Sequence, residues 1–77
     1  MRLYLLPLEV ACRDGKPLWV RFRGKRPVRR LLDTWRVGGR WWLGEGGRDY
    51  FLLEVAGGLV LEIFREGERW VLSRVLD

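Results

Sequence analysis

The chain contains no histidine, no asparagine and no glutamine, and Cys12 is the single cysteine among 77 residues. Each absence removes a class of chemistry. Without histidine, the commonest general base at neutral pH and the commonest zinc ligand are missing, and one thiol can form neither an intramolecular disulfide nor a redox pair. No metal site and no cofactor are expected. Asparagine and glutamine are the usual bidentate readers of adenine, so any contact to DNA falls to arginine and lysine, which grip phosphate or guanine. Sequence-specific readout is therefore not expected. Long apolar runs are missing too: the stretch from Leu3 is broken at Pro7 and Glu9, shorter than a signal segment requires and far below the roughly eighteen residues of a membrane span. The expectation is a cytoplasmic protein with no membrane partner. Thirteen arginines against two lysines, with no amides, fit either a heat-adapted source or a biased genomic base composition.

What is present suits a single small domain over residues 1–77, near the size at which one core only just offsets the entropy of ordering the chain. With 48% hydrophobic and 13% aromatic residues the chain lies outside the disordered regime, and stability must come from packing or from a partner subunit. Charge is uneven. Between Arg13 and Arg40 stand ten basic residues (Arg13, Lys16, Arg21, Arg23, Lys25, Arg26, Arg29, Arg30, Arg36, Arg40) against Asp14 and Asp33, a local net charge of +8 within an overall +5. A field this lopsided usually faces a polyanion, DNA or RNA. The plainer reading is an arginine-rich strand face solvated by guanidinium groups.

Apolar and polar residues alternate in short segments separated by glycine-containing turns, the pattern of an all-β chain. Asp14-Gly15 is a strong turn signal. Leu18, Val20 and Phe22 share one strand face, and Trp19, Arg21 and Arg23 the other. Around Gly24-Lys25 an odd loop of three or five residues keeps like faces together, aligning Val28 with Val20 or Phe22 and leaving Lys25 and Arg26 at the loop tip. Leu31, Trp35 and Val37 then run in a new phase, which predicts a bulge near Arg30 to Leu32. Gly38-Gly39 fits a two-residue turn pairing Trp35 with Trp42 and Arg36 with Trp41. A similar turn at Gly57-Gly58 puts Phe51, Leu53, Val55, Val60 and Phe64 on one face and Tyr50, Leu52, Leu59, Leu61 and Ile63 on the other, an apolar hairpin on both sides. After Glu66-Gly67, Trp70, Leu72 and Leu76 alternate with Val71, Ser73 and Val75. The sum is a six- or seven-stranded antiparallel meander curled into a small barrel or half-barrel.

Trp19, Arg21, Arg23, Lys25, Arg26, Arg29 and Arg30 form the strongest binding candidate, because a π-face beside guanidinium groups both stacks bases and neutralises phosphate. The alternative is that Trp19 is covered and the arginines only guard an edge. The loop Gly44-Glu45-Gly46-Gly47 lacks the lysine and hydroxyl residue of a phosphate-binding loop and opens no helix, so it reads as a hairpin loop. Arg48-Asp49-Tyr50 offers a carboxylate and a phenol but no second acid, base or nucleophile, and reads as a structural knot in which Asp49 caps backbone donors. Cys12, in phase with Leu8 and Val10, reads as a buried apolar residue. No enzymatic activity is expected.

Trp41-Trp42, Arg48-Asp49-Tyr50, Glu54, Gly57-Gly58, Phe64-Arg65 and Trp70-Val71-Leu72 together resemble a small uncharacterised bacterial domain found as short stand-alone proteins. A similar pattern closes the C-terminus of the ImuB-type protein, the catalytically inactive Y-family polymerase homologue of the bacterial mutagenesis cassette. The resemblance covers about four fifths of the chain. Ser73-Arg74 stands where the polymerase-type tails commonly carry a histidine, which favours the stand-alone branch. The polymerase-like body is absent, so no lesion-bypass activity follows. What the resemblance implies is a link to DNA damage tolerance, as a DNA-contacting module or as a docking module for a polymerase-type partner. The combined expectation is a non-enzymatic accessory module binding nucleic acid weakly and without sequence preference. The alternative is a protein-interaction or homodimerisation module using the hairpin 51–64.

Overall fold

The structure is a computed structural model that describes residues 2–38 and 46–76. Seven strands follow one another: β1 (Arg2–Pro7), β2 (Glu9–Arg13), β3 (Lys16–Arg21), β4 (Lys25–Val37), β5 (Arg48–Val55), β6 (Leu59–Glu66) and β7 (Arg69–Leu76). They form one antiparallel sheet in the order β1-β7-β6-β5-β4-β3-β2, curled into a half-barrel. From β2 to β7 the strands run as an antiparallel meander, as the alternation predicts, and β4 pairs directly with β5, setting Trp35 opposite Tyr50 and Arg36 opposite Asp49. The expected pairing of Trp35 with Trp42 and of Arg36 with Trp41 involves residues outside those described. The N-terminal strand closes on the C-terminal one, Arg2 opposite Val75 and Pro7 opposite Val71. Leu8 alone separates β1 from β2, although these strands stand at opposite ends of the sheet order, and its amide donates to the Trp70 carbonyl at 3.0 Å. The curl thus brings both ends of the sheet together at one residue.

Turn chemistry sets the registers. Asp14 and Gly15 both adopt positive φ, 52° and 77°, the two left-handed positions of the type I′ turn that matches strand twist, and they join Arg13 to Lys16. The β3–β4 loop is odd, as expected, and comprises Phe22, Arg23 and Gly24, but it sets Arg21 opposite Lys25, Val20 opposite Arg26 and Trp19 opposite Pro27. The alignment of Val28 with Val20 or Phe22 is therefore corrected by one pair step, and Lys25 and Arg26 lie within β4 on opposite faces instead of at a loop tip. The expected bulge is present and double: the register shifts between Val28 and Arg30 and again between Leu31 and Asp33. Two shifts restore the phase, so Leu31, opposite Leu53, and Trp35, opposite Tyr50, face opposite ways.

The largest correction concerns residues 51–64. A three-residue loop, Ala56 to Gly58, sets Val55 opposite Leu59, Leu53 opposite Leu61 and Phe51 opposite Ile63. Gly57 and Gly58 at φ 95° and 75° allow the extra residue. One face of this hairpin is consequently wholly apolar, while the other carries Tyr50, Leu52, Glu54, Val60, Glu62 and Phe64. The residues that share each face differ from the expected ones, and both glutamates gather on the second face beside Tyr50, Leu52, Val60 and Phe64, because one residue in the loop inverts the facing of a whole strand. On β7 another shift at Ser73 puts Leu72 and Val75, not Leu76, on the face of Trp70.

The inner face of the curl holds the core. Val20, Leu53, Val55, Leu61 and Ile63 are fully buried, joined by Leu72 and Val75, with Leu8, Val10, Phe22, Val28, Phe51, Leu59 and Trp70 packed around them. Glu62 is the one charged residue buried among those described, on the outer face, and its carboxylate accepts from Arg74 Nε at 2.9 Å.

Candidate nucleic-acid interface

β3 and the first residues of β4 carry the core on one side and a cationic aromatic cluster on the other. Trp19 and Arg21 project outward from β3, and Lys25 and Pro27 lie opposite them on β4. The Lys25 ammonium sits 4.8 Å and the Arg21 guanidinium 5.6 Å from the Trp19 ring centroid, both within cation–π range. Trp19 is half-buried, so its indole is neither lost in the core nor free to rotate in solvent. Arg21 also donates to Glu9, its direct partner across β2, at 3.2 Å.

The remaining expected contact residues divide. Arg23 occupies the turn at φ 52° and lies over the Phe22 ring at 5.0 Å. Arg26 does not join the cluster: its guanidinium donates to the carbonyls of Phe22 at 2.7 Å, Ala56 at 3.0 Å and Arg23 at 3.4 Å. Five N–H donors in a rigid fork suit three diverging carbonyls, and the role of Arg26 is to tie two turns together. Arg30 faces outward and pairs with Glu54 at 2.7 Å. Arg29 is exposed at the first shift of β4 and has no side-chain partner among the described residues.

Three cations of the basic stretch therefore meet carboxylates from outside it: Arg21 with Glu9, Arg30 with Glu54 and Arg36 with Asp49. Exposed pairs of this kind add little stability, but they cancel local field. The +8 read along the chain overstates what a ligand meets, because the mildly acidic remainder folds back onto the basic segment.

The Arg48-Asp49-Tyr50 motif lies at the start of β5. Asp49 is expected to cap backbone donors; among the described residues its Oδ1 instead accepts from Arg36 Nη1 at 2.7 Å, across the β4–β5 ladder on the inner face. Arg36 and Trp35 thus find Asp49 and Tyr50 as partners, whereas Trp41, Trp42, Gly39, Arg40, Gly44 and Glu45 lie outside the described residues. Tyr50 is the centre of an outward aromatic row. Trp35 stacks on it at 5.2 Å with an interplanar angle of 4°, and Phe64 follows at 5.2 Å on its other side. Arg48 covers Phe64 at 4.4 Å and donates to Glu66 at 2.7 Å. That hydrogen bond holds the Glu66 carboxyl below its ordinary range, and Glu66 followed by the Tyr50 hydroxyl raises the Arg48 guanidinium still further. The pair stays charged at neutral pH and is lost only as pH falls through the lowered Glu66 value. Reading a three-residue loop at Ala56 to Gly58 is the one sequence signal that places Tyr50 beside Phe64.

Cys12 is exposed, not buried: the register shift between Ala11 and Cys12 leaves Leu18 of β3 unpaired, so the thiol stands opposite Pro17 instead of Leu18. Partial desolvation still pushes the thiol pKa up, opposed by the charge of Arg65. Iodoacetamide should therefore alkylate Cys12 a few-fold more slowly than free cysteine at neutral pH, with the rate rising as pH approaches the thiol pKa. A rate above that of free cysteine would show that Arg65 outweighs desolvation.

Among the described residues no group of three or more His, Cys, Asp or Glu side chains could hold a metal ion, and no helix is long and apolar enough to cross a membrane. No protein-family model, curated protein or solved structure matches the chain.

Proposed function

We propose that this protein is a non-enzymatic accessory module that binds nucleic acid weakly and without sequence preference through the outer face of its sheet. The observation that carries this reading is the cluster of Trp19, Arg21 and Lys25: a half-buried indole on the sheet surface with two cations on its ring. An aromatic plane beside movable cations stacks a base and neutralises its phosphate, and it selects no sequence because every base has a π-face. Arg23 and Arg29 flank the cluster, while the absence of asparagine and glutamine leaves no bidentate reader of adenine. The resemblance to the ImuB-type C-terminal tail suggests a link to DNA damage tolerance. A polymerase-type protein is the partner that resemblance suggests.

Because Arg21 and Arg30 are already paired, about three cations remain to meet phosphate, and log affinity for a single strand should fall with log salt at a slope near −2. Fluorescence anisotropy with labelled oligonucleotides across a salt series measures this. Trp19→Ala should weaken binding about 5- to 150-fold, the equivalent of roughly 1–3 kcal/mol for one stacked base. Absence of binding at low salt would overturn the reading.

A further inference from the structure

The outer face holds a second aromatic plane that the basic stretch does not predict, and its placement on β4, the strand next to that of Trp19, narrows the ligand. Pro27, opposite Trp19, and Trp35 both belong to β4, eight residues apart. At about 3.3 Å per residue that is at most roughly 26 Å, shortened by the two register shifts. Trp19 and Trp35 both face outward, Trp19 away from buried Val20 and Trp35 with Tyr50, away from buried Leu53. Arg29 and Arg30 lie on β4 between them.

Trp35 is built as a platform. Its ring lies flat on Tyr50, 4° from parallel, and Tyr50 is backed in turn by Phe64. An indole buttressed in this way has surrendered its rotational freedom before any ligand arrives, so stacking a base on it costs little further ordering. Trp35 nevertheless remains 37% exposed, among the large hydrophobic residues left open to solvent.

We infer that the ligand is single-stranded nucleic acid laid along β4, with one base on Trp19, another on Trp35, and the intervening phosphates passing Arg29. This rests on the function proposed above and names its substrate class. A duplex keeps its bases stacked on each other and offers two separated indoles nothing to stack on, whereas a single strand presents each base freely. The outer side of a curled sheet is convex, so it cannot wrap a duplex either. A span of roughly 26 Å corresponds to about four to eight nucleotides, between the 3.4 Å spacing of a stacked strand and about twice that when extended.

The charge arrangement agrees. The carboxylates of Glu54, Glu62 and Glu66 on this face each accept from an arginine, Arg30, Arg74 and Arg48 respectively. Asp33 is the acidic residue of β4, and its Oδ1 accepts from the Thr34 amide at 2.8 Å. The face is close to neutral between its two platforms, which leaves stacking as the main source of affinity and is what distinguishes a single-strand track from a duplex-binding basic patch.

The test is an oligothymidylate length series of about three, six and twelve nucleotides, with a twelve-base-pair duplex for comparison, titrated at low salt against the wild type, Trp19→Ala, Trp35→Ala and Trp35→Leu. Trp35→Leu keeps an apolar cover on Tyr50 without the plane, so it reports stacking even if the alanine variant fails to fold. Affinity should rise steeply between three and about eight nucleotides and then level off, because both platforms are then engaged at once. Duplex should bind at least about tenfold more weakly than the longest single strand. Trp35→Leu should weaken the longest strand about 5- to 150-fold, yet change trinucleotide binding by no more than about twofold, since Trp19 can still hold a short ligand. Equal affinity for duplex and single strand, or a Trp35→Leu variant with unchanged affinity for the longest strand, would overturn the inference while leaving nucleic-acid binding intact. Failure of every oligonucleotide to bind would instead remove the proposed function itself.

Discussion

Leu53→Ala should lower the unfolding free energy by about 3 kcal/mol, within the range measured for deleting a fully buried leucine side chain. Leu53 has no exposed surface and stands between Leu31 and Leu61 in the cross-strand row of the inner face. The loss combines the transfer energy of the removed methyl groups with a cavity that a single sheet wrapped on itself cannot easily close. A chain of 77 residues has roughly 4–11 kcal/mol to lose. The midpoint of thermal unfolding, followed by circular dichroism, should fall by about 12–24 °C. A shift below about 5 °C would mean that the curl contracts around the missing side chain, and the inner face would then not be the close-packed core described above.

Arg26→Met should cost about 2 kcal/mol, because hydrogen bonds from a charged donor are worth more than neutral ones and the methionine stem preserves the packing. The guanidinium binds the β3–β4 loop through Phe22 and Arg23 and the β5–β6 loop through Ala56, while the Ala56 amide returns a bond to the Pro27 carbonyl at 3.0 Å. Gly57 allows the approach: a Cβ there would lie 2.5 Å from Arg26 Nη1. Amide exchange should accelerate in both loops together. Arg26→Lys should fail to restore protection, since one ammonium cannot span carbonyls that a planar fork reaches. The salt slope of oligonucleotide binding should not change. If Arg26→Met instead flattens that slope by about 0.7 and leaves stability untouched, Arg26 contacts phosphate and its carbonyl bonds are incidental.

The contrast between Arg26 and Lys25 shows how far the candidate site could be read in advance. Both stand in the same basic run, and residue type alone assigns them to one function. A three-residue loop puts Lys25 over Trp19 and turns Arg26 inward to the loop carbonyls. Arg21 was placed on the Trp19 face by simple alternation within its own strand, a local property that survives folding. Its pairing with Glu9, like that of Arg30 with Glu54, joins residues far apart in the chain, and no spacing within the basic stretch announces it.

The outer aromatic row was hidden for a related reason. Gly57-Gly58 marks a turn, but whether two or three residues form it decides which face every residue from Leu59 to Phe64 occupies. The exposure of Cys12 is likewise not legible locally, because it goes with an irregular pairing in which Leu18 of the neighbouring β3 stands unpaired.

The sequence by itself determined an all-β chain of short antiparallel strands, the turns at Asp14-Gly15, Gly57-Gly58 and Glu66-Gly67, the irregular stretch near Arg30, the outward facing of Trp19 and Arg21, and a charge balance suited to a polyanion. These follow from alternation, turn chemistry and composition, which act over a few residues. Only the tertiary structure decided the strand registers, the closure of β1 on β7, the withdrawal of Arg26, the pairing of Arg21, Arg30 and Arg36 with distant carboxylates, and the platform of Trp35 on Tyr50. A strand has two faces and a period of two, so one extra residue in a loop or bulge exchanges them, and the preference between the alternatives is set by what waits on the neighbouring strand.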